Sequence, residues 1–230
     1  MSNLNFNDGK PLVVLAADTS SACSGFALAR GSELIASLQS QTSEPHSRTF
    51  FLQTSELLKR AGMKLSDIQV FAAATGPGSF TGLRVGLAAV KGFAHSLGKP
   101  AIGVNSIDAL ALGSKAVGNI LVLIAAGRNE VYSGVRRVEE NGKLISLGTD
   151  QVGSLASVLN SELRNQSLSV VGAISKEALA EIPNWTLRGC QTSIAEEIAL
   201  WVPALFLDEA IYSLRPDYIR PSDAELNRKA

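Results

Sequence analysis

The sequence predicts an α/β protein built from two similar lobes. Three observations carry that expectation. Short apolar runs stopped by turn residues alternate with helix-length segments. The order of three strands, helix, strand, helix occurs twice along the chain, which suits two related halves better than one continuous sheet. And 230 residues, 46% of them apolar and 18% charged, are enough to give each half a core of its own.

The elements follow in order. PLVVLAADTS is an apolar run ended by Asp18-Thr19-Ser20, and SGFALAR and ELIASLQSQ follow at short spacing, so these three read as an antiparallel meander. A helix is expected from about Ser47 to Ala61, with Pro45 ahead of it and Gly62 where a left-handed cap belongs. LSDIQVFAAATG contains a buried strand, GPGSFTG a loop, and LRVGLAAVKGFAHSLG a second helix closed by Gly98. KPAIGVN is a short strand and SIDALALG a short helix. From Asn119 the pattern restarts with NILVLIAAG, EVYSGVRRV and GKLISLG as strands. A helix over Ser154–Arg164, the strand LSVVG and the helix SIAEEIALWV complete it. No Gly/Ser linker divides the halves, so the hinge is expected in the tight stretch Gly103–Ser106.

Composition excludes several function classes. Lys+Arg and Asp+Glu tie at 21 each, whereas a protein gripping nucleic acid on its own normally carries a basic excess. The nearest approach to a basic cluster is Arg215, Arg220, Arg228 and Lys229, a solvated terminus by default. No apolar run approaches the ~18 residues that a membrane span needs. Cys23 and Cys190 lie far apart with no CxxC, and read as reduced core thiols in a cytoplasmic protein.

The segment ATGPGSFTGLRVGLAAVKGFA (74–94) poses the functional question. Glycine turns at a helix N-terminus can leave several N–H groups free for an anion, and Thr81 or Ser79 can cap the helix. The nucleotide P-loop, however, needs a lysine, and the first cation here is Arg84. A phosphate cradle and a structural strand-to-helix turn both remain open, the turn favoured. In the helix behind the loop, Leu83, Leu87, Val90, Ala94 and Leu97 form a core stripe. Gly82, Gly86, Ala89 and Phe93 form a second stripe, and Val85, Ala88 and Gly92 a third. Glycine inside a helix costs about 1 kcal/mol relative to alanine, so Gly86 and Gly92 call for a close neighbour. In the earlier helix, Phe50, Leu57 and Ala61 mark one face and Phe51 and Leu58 another. Either both helices are sandwiched within the domain, or together they expose a patch that a second protein buries as a four-helix packing. The candidate interface is Phe50, Phe51, Thr54, Leu58, Val85, Gly86, Ala89, Gly92 and Phe93.

Chemistry is sparse. The two histidines, His46 and His95, have no His, Cys or carboxylate at ligand spacing, so no metal is expected, and there is no HExxH, GxSxG or paired-carboxylate cluster. His46 reads as a hydrogen-bonded helix-end residue and His95 as a helix-surface residue. Asp18, Thr19 and Ser20 at a strand end could hold a nucleotide's metal, as in ATPases of the actin and sugar-kinase type, or could cap a turn. Arg128, Asn129 and Glu130 read as a hairpin turn. A vestigial phosphate loop would combine Asp18, Thr19 and Ser20 with Gly76, Gly78, Ser79, Thr81 and Gly82.

GPGSFTGLRVG with AVKGFA behind it, DTSSACSGFAL, EPHSRTF, GRNEVY and RPDYIRP run in order from Leu12 to Pro221, and together they resemble the TsaB (YeaZ) family. The resemblance implies an actin-like ATPase (ASKHA) fold and a cytoplasmic, non-catalytic subunit of the bacterial machinery that makes threonylcarbamoyladenosine at position 37 of tRNAs reading codons that begin with A. The implied partners are TsaD, a catalytic paralogue bound through the two first-lobe helices, and the ATPase TsaE. A homodimer is the alternative state without TsaD, tRNA would be met only through the complex, and no cofactor is expected. Where TsaD carries a metal-binding His-x-x-x-His, GVNSIDAL here places Ser106 and Leu110. The sequence departs from the family where Ala125-Ala126-Gly127 replaces an aspartate-containing turn. The lobes are expected at 1–104, joined by 203–221, and at 105–202, with a flexible tail at 222–230. The competing reading is an ATP-binding sugar- or acyl-kinase-like enzyme. A metalloprotease has no ligand set here.

Overall fold

The computed structural model describes residues 10–41, 44–159, 168–173, 186–188, 193–207 and 214–219. Strands β1 (Val13–Asp18), β2 (Cys23–Arg30) and β3 (Glu33–Gln41) form the antiparallel meander that the sequence predicts. Helix α1 (His46–Arg60) follows, then a single 3-10 turn, Leu65–Asp67, and β4 (Val70–Gly76), which lies parallel to β1. Helix α2 (Phe80–Leu97) ends on left-handed Gly98 and leads to β5 (Ala101–Asn105), parallel to β4, and to α3 (Ser106–Gly113). The first sheet has the order β3-β2-β1-β4-β5.

The second lobe repeats the plan. Strands β6 (Gly118–Gly127), β7 (Glu130–Val138) and β8 (Leu144–Ser146) are antiparallel. Strand β8 falls within the third strand expected at 142–148, and a further short strand that the sequence did not signal, β9 (Gln151–Ser154), also pairs with β7. Helix α4 (Leu155–Leu159) covers the start of the helix expected to Arg164; the rest lies outside the described residues. Strand β10 (Ser169–Ala173) and a strand the sequence did not signal, β11 (Thr186–Arg188), continue parallel to β6, giving the order β11-β10-β6-β7-β8. Two mixed sheets with the same strand order are the doubled α/β architecture expected.

Helix α5 (Ile194–Leu207) departs from expectation. Placed by sequence in the second lobe up to residue 202, it lies instead across the far face of the first sheet, with Ala195, Ile198, Ala199 and Val202 packed on Val14, Ala16, Ala27, Ala29, Val70 and Ala72. Strand periodicity explains the choice. Successive residues of β1, β2 and β4 point to opposite faces, and the larger ones (Leu15, Phe26, Leu28, Phe71) join the α1–α2 core while the opposite face is largely alanine. A thin face lets a helix come close: a methyl on Gly25 would stand 3.2 Å from the Ala195 Cβ. Between the lobes, α3 sends Ile107, Leu110 and Ala111 into the second-lobe core and Ala109 into the first. The stretch 103–106 therefore runs directly from strand into helix.

Candidate functional site

The glycine-rich loop and the Asp18-Thr19-Ser20 turn do come together, but as partners of each other. All three turn residues are buried. The Asp18 carboxylate accepts from the Ser20 N–H at 2.8 Å, and burial, partly offset by its Ser20 hydrogen bonds, pushes its pKa above the usual carboxylate range. The Thr19 hydroxyl donates to the Gly82 carbonyl at 2.7 Å. In return the Ser79 N–H donates to the Ser20 carbonyl at 2.6 Å. Ser79 caps α2, its hydroxyl accepting from the Gly82 N–H at 3.2 Å, so of the two cap candidates Ser79 serves and Thr81 is exposed.

The glycines are there to admit this turn. A Cβ on Gly78 would stand 2.5 Å from the Ser20 carbonyl oxygen, one on Gly82 1.9 Å from the Thr19 carbonyl oxygen, and one on Gly86 2.4 Å from the Thr19 hydroxyl. Gly76, at φ 112°, meets the Asp217 carbonyl in the same way at 2.9 Å. The fit to a nucleotide phosphate is consequently poor. The Ser79, Gly82 and Leu83 N–H groups already donate within the chain, and the space beside the glycines presents carbonyl oxygens, which repel an anion. The loop has the composition of a cradle and the geometry of a clamp.

Beside this clamp a cleft of about 990 Å³ separates the lobes. The Ser20–Cys23 turn and the Gly78–Thr81 loop line one side, the 125–128 turn and Tyr132 the other, and residues 217–219 complete the lining. Cys23 contributes a free thiol; Cys190 lies outside the described residues. Arg128 and Asn129 sit at φ 53° and 60° and join β6 to β7 as a tight hairpin, the reading expected for that turn. At the mouth, the Arg84 guanidinium lies 4.5 Å over the Phe80 ring, which stacks on Tyr218 at 4.7 Å. His46 serves its helix end: its Nε2 is 2.8 Å from the Ser21 carbonyl. His95 is exposed on α2. Ser106 and Leu110 are buried within the packing of α3.

The second surface is the outer side of α1 and α2. Not every predicted interface residue reaches it. Phe50 is a core residue, Leu58 is almost wholly buried and reaches the surface only as the wall of a groove, Thr54 is buried with its hydroxyl donating to the Phe50 carbonyl at 2.9 Å, and Gly86 faces Thr19. The reason is helical phase: these positions lie on the sheet-facing arc or point back along it. Val85, Ala89 and Phe93 are half-buried, and Phe51 and Gly92 are exposed. Phe51 is 57% exposed and packs edge-on against Phe93 at 5.6 Å. Beside them a groove of about 370 Å³ is lined by Phe51, Leu58, Met63, Leu65 and Phe93. Leu52, 72% exposed, extends the same surface and was missed. A signal for it exists in Phe50-Phe51-Leu52: at about 100° per residue three successive apolar side chains span some 200° of arc, so if the first is core the third faces out.

Comparison with known proteins agrees with this architecture. A family profile described as TsaD, tRNA N6-adenosine threonylcarbamoyltransferase, matches residues 35–219. The chain is 28% identical over 224 residues to the Bacillus subtilis tRNA threonylcarbamoyladenosine biosynthesis protein TsaB, covering 93% of this chain and 96% of that one. The structure of YeaZ from Pseudomonas aeruginosa superposes with a TM-score of 0.72 at 22% identity, over 90% of this chain and 99% of that one. Component A of the (R)-2-hydroxyglutaryl-CoA dehydratase of Acidaminococcus fermentans shares the fold with a TM-score of 0.56 at 13% identity, over 84% and 98% of the two chains.

Proposed function

The chain belongs to the TsaD family of tRNA N6-adenosine threonylcarbamoyltransferases, on its TsaB/YeaZ branch, and from that premise we propose that it is a non-catalytic subunit that binds and supports a catalytic TsaD. Its place is in the biosynthesis of threonylcarbamoyladenosine on tRNA, and the fold is that of actin-like ATPases. The observation that carries the proposal is the apolar outer side of α1 and α2, where exposed Phe51 and Leu52 of α1 stand beside half-buried Phe93 of α2. Two neighbouring helices, one with exposed apolar side chains and the other thin and half-buried beside an apolar groove, offer the half of a four-helix packing that a second pair would complete. A buried surface of about 1,600 Å² would suffice for a stable pair.

Two features support a non-catalytic role. Where the resemblance puts a pair of metal-binding histidines in TsaD, this chain has Ser106 and Leu110, a hydroxyl and a hydrocarbon, both buried. And the loop that would cradle phosphate is closed on its own turn. The ATP-dependent kinase reading loses the arrangement it needs, and calorimetry of the isolated chain with Mg-ATP should give no binding heat. TsaE joins the pair in this reading, the chain acts in the cytoplasm, and a second copy takes the same surface when TsaD is absent.

The test is reconstitution. Threonylcarbamoyl transfer to tRNA by TsaD is measured with the wild-type chain, without it, and with Leu52→Glu. Because Leu52 is exposed in the free chain, the variant should fold with an unchanged melting temperature. A carboxylate buried unpaired in the contact should still abolish co-purification with TsaD and reduce transfer to the level without the chain. Full pairing and transfer by Leu52→Glu would remove this face from the interface.

A further inference from the structure

We propose that Asn105 is a latch that fixes how far apart the two lobes stand. It is the last residue of β5, in the first sheet, and caps α3: its Oδ1 accepts from the Ile107 and Asp108 N–H groups at 2.7 and 3.3 Å. Those bonds fix the orientation of the amide, so its Nδ2 must point away from the helix. There it donates to Asp217 Oδ2 at 3.0 Å and to Asp150 Oδ2 at 3.3 Å.

Each acceptor belongs to a different part of the molecule. Asp150 lies between β8 and β9 of the second lobe, its side chain 10% exposed, and its carboxylate is gripped by both terminal nitrogens of Arg136 on β7, at 2.7 and 2.9 Å. The Arg136 Nε donates to Asp108 Oδ1 at 2.5 Å. Asp217 belongs to a strap, residues 214–219, that crosses from lobe to lobe. Leu214 is buried in the first-lobe core, Ile219 packs on the second-lobe core, and between them the Asp217 N–H donates to the Thr75 carbonyl of β4 at 2.7 Å. Tyr218 then stacks on Phe80 at the cleft mouth.

Three carboxylates, those of Asp108, Asp150 and Asp217, thus lie close to one another with one guanidinium among them that reaches only two. Arg136 contacts the first two, and burial together with the neighbouring Asp150 and Asp217 charges leaves the Asp108 pKa raised despite its contact with Arg136. The Asn105 amide is what holds the second and third side by side. It is neutral, adds no further charge, and spends one donor group on the second lobe and the strap at once. Hydrogen bonds to charged acceptors are about twice as strong as neutral ones, which suits a small group set to resist the repulsion of the carboxylates it bridges.

Hydrogen exchange on the full chain tests the latch. Asn105→Ser keeps a good helix cap and removes the bridging donor. Asn105→Asp also keeps the cap but turns a third oxygen toward Asp150 and Asp217. The strap amides, above all the Asp217 N–H, should exchange at least about tenfold faster in Asn105→Ser and faster again in Asn105→Asp, given the strength of bonds to charged acceptors. Protection in the core strands β1 and β6 should not change. Strap exchange within twofold of wild type in both variants would overturn the proposal. So would a rise shared equally by β1 and β6, since that is loss of global stability and not release of a latch.

Discussion

The two ends of α2 look alike in sequence and differ in what surrounds them. Near the N-terminus, Gly82 and Gly86 are buried, and the space their missing side chains leave is filled by Thr19. Near the C-terminus, Gly92 is exposed and a methyl there would meet nothing within 4 Å. The first pair is glycine because of the chain's own turn. Among the described residues nothing requires the third, and it stands beside Phe93, which packs on exposed Phe51. Small residues in one helix therefore answer to two causes, an internal clamp and an open face, and only the second bears on a partner.

The sharpest way to break this comparison is at Gly82. Alanine there places a Cβ 1.9 Å from a backbone carbonyl oxygen, which cannot swing aside as a flexible side-chain end could. The turn and the helix must separate, and the Thr19 hydrogen bond to Gly82 goes with them. Gly82→Ala should destabilise the chain by about 3 kcal/mol, the upper end of overpacking costs, read as a lower urea midpoint. A midpoint equal to that of wild type would mean that the clamp is not what the glycine serves.

A smaller effect concerns the carboxyl beneath the clamp. The pKa of Asp18 is raised in the folded chain by burial, so the folded state holds its proton more tightly than the unfolded state does. The stability that comes from this proton is complete below the ordinary carboxylate pKa of about 4 and is lost as pH climbs through the raised folded value. Asp18→Asn keeps an acceptor for the Ser20 N–H and removes the titration. The variant should match or exceed wild type at about pH 7, and wild type should regain ground on it as pH falls toward about 5. Parallel stability curves for the two proteins across that range would show that Asp18 carries no shifted proton.

How much of this was legible in the sequence follows from the range of the interactions. The doubled strand order, the Pro45 and Gly98 helix boundaries and the inward stripe of Leu83, Leu87, Val90 and Ala94 are written in local periodicity and caps, and they stand in the structure as read. The location of α5 was not legible. The Leu200-Trp201-Val202 run fits the back of either sheet, and the choice depends on the alanines of β1, β2 and β4, far away in sequence. The clamp was half legible. GPGSFTG announces a helix entry, yet whether its N–H groups await an anion or meet the Ser20 carbonyl is decided by a contact nearly 60 residues distant. Burial within the candidate interface was misjudged for the same reason. Phe50 and Thr54 share a helix with Phe51 and Leu52, and only their angle about the axis separates core from surface.

The smallest expected effect discriminates best at the open end of α2. In the free chain Gly92→Ala relieves a helix of its least favourable ordinary residue and meets no neighbour, so stability should rise by up to about 1 kcal/mol. Were Gly92 small for internal reasons, as Gly82 and Gly86 are, the same change would lower stability instead. Association supplies the other half of the test. If a partner helix packs its backbone against this face, the added methyl holds it off, and affinity for TsaD should fall about tenfold, some 1.4 kcal/mol, while the variant itself is more stable. Opposite signs for folding and pairing from one methyl group would tie the thinness of α2 at this position to a neighbour outside the chain. Equal affinity would instead leave Phe51, Leu52 and Phe93 as the contact and put Gly92 beyond its edge.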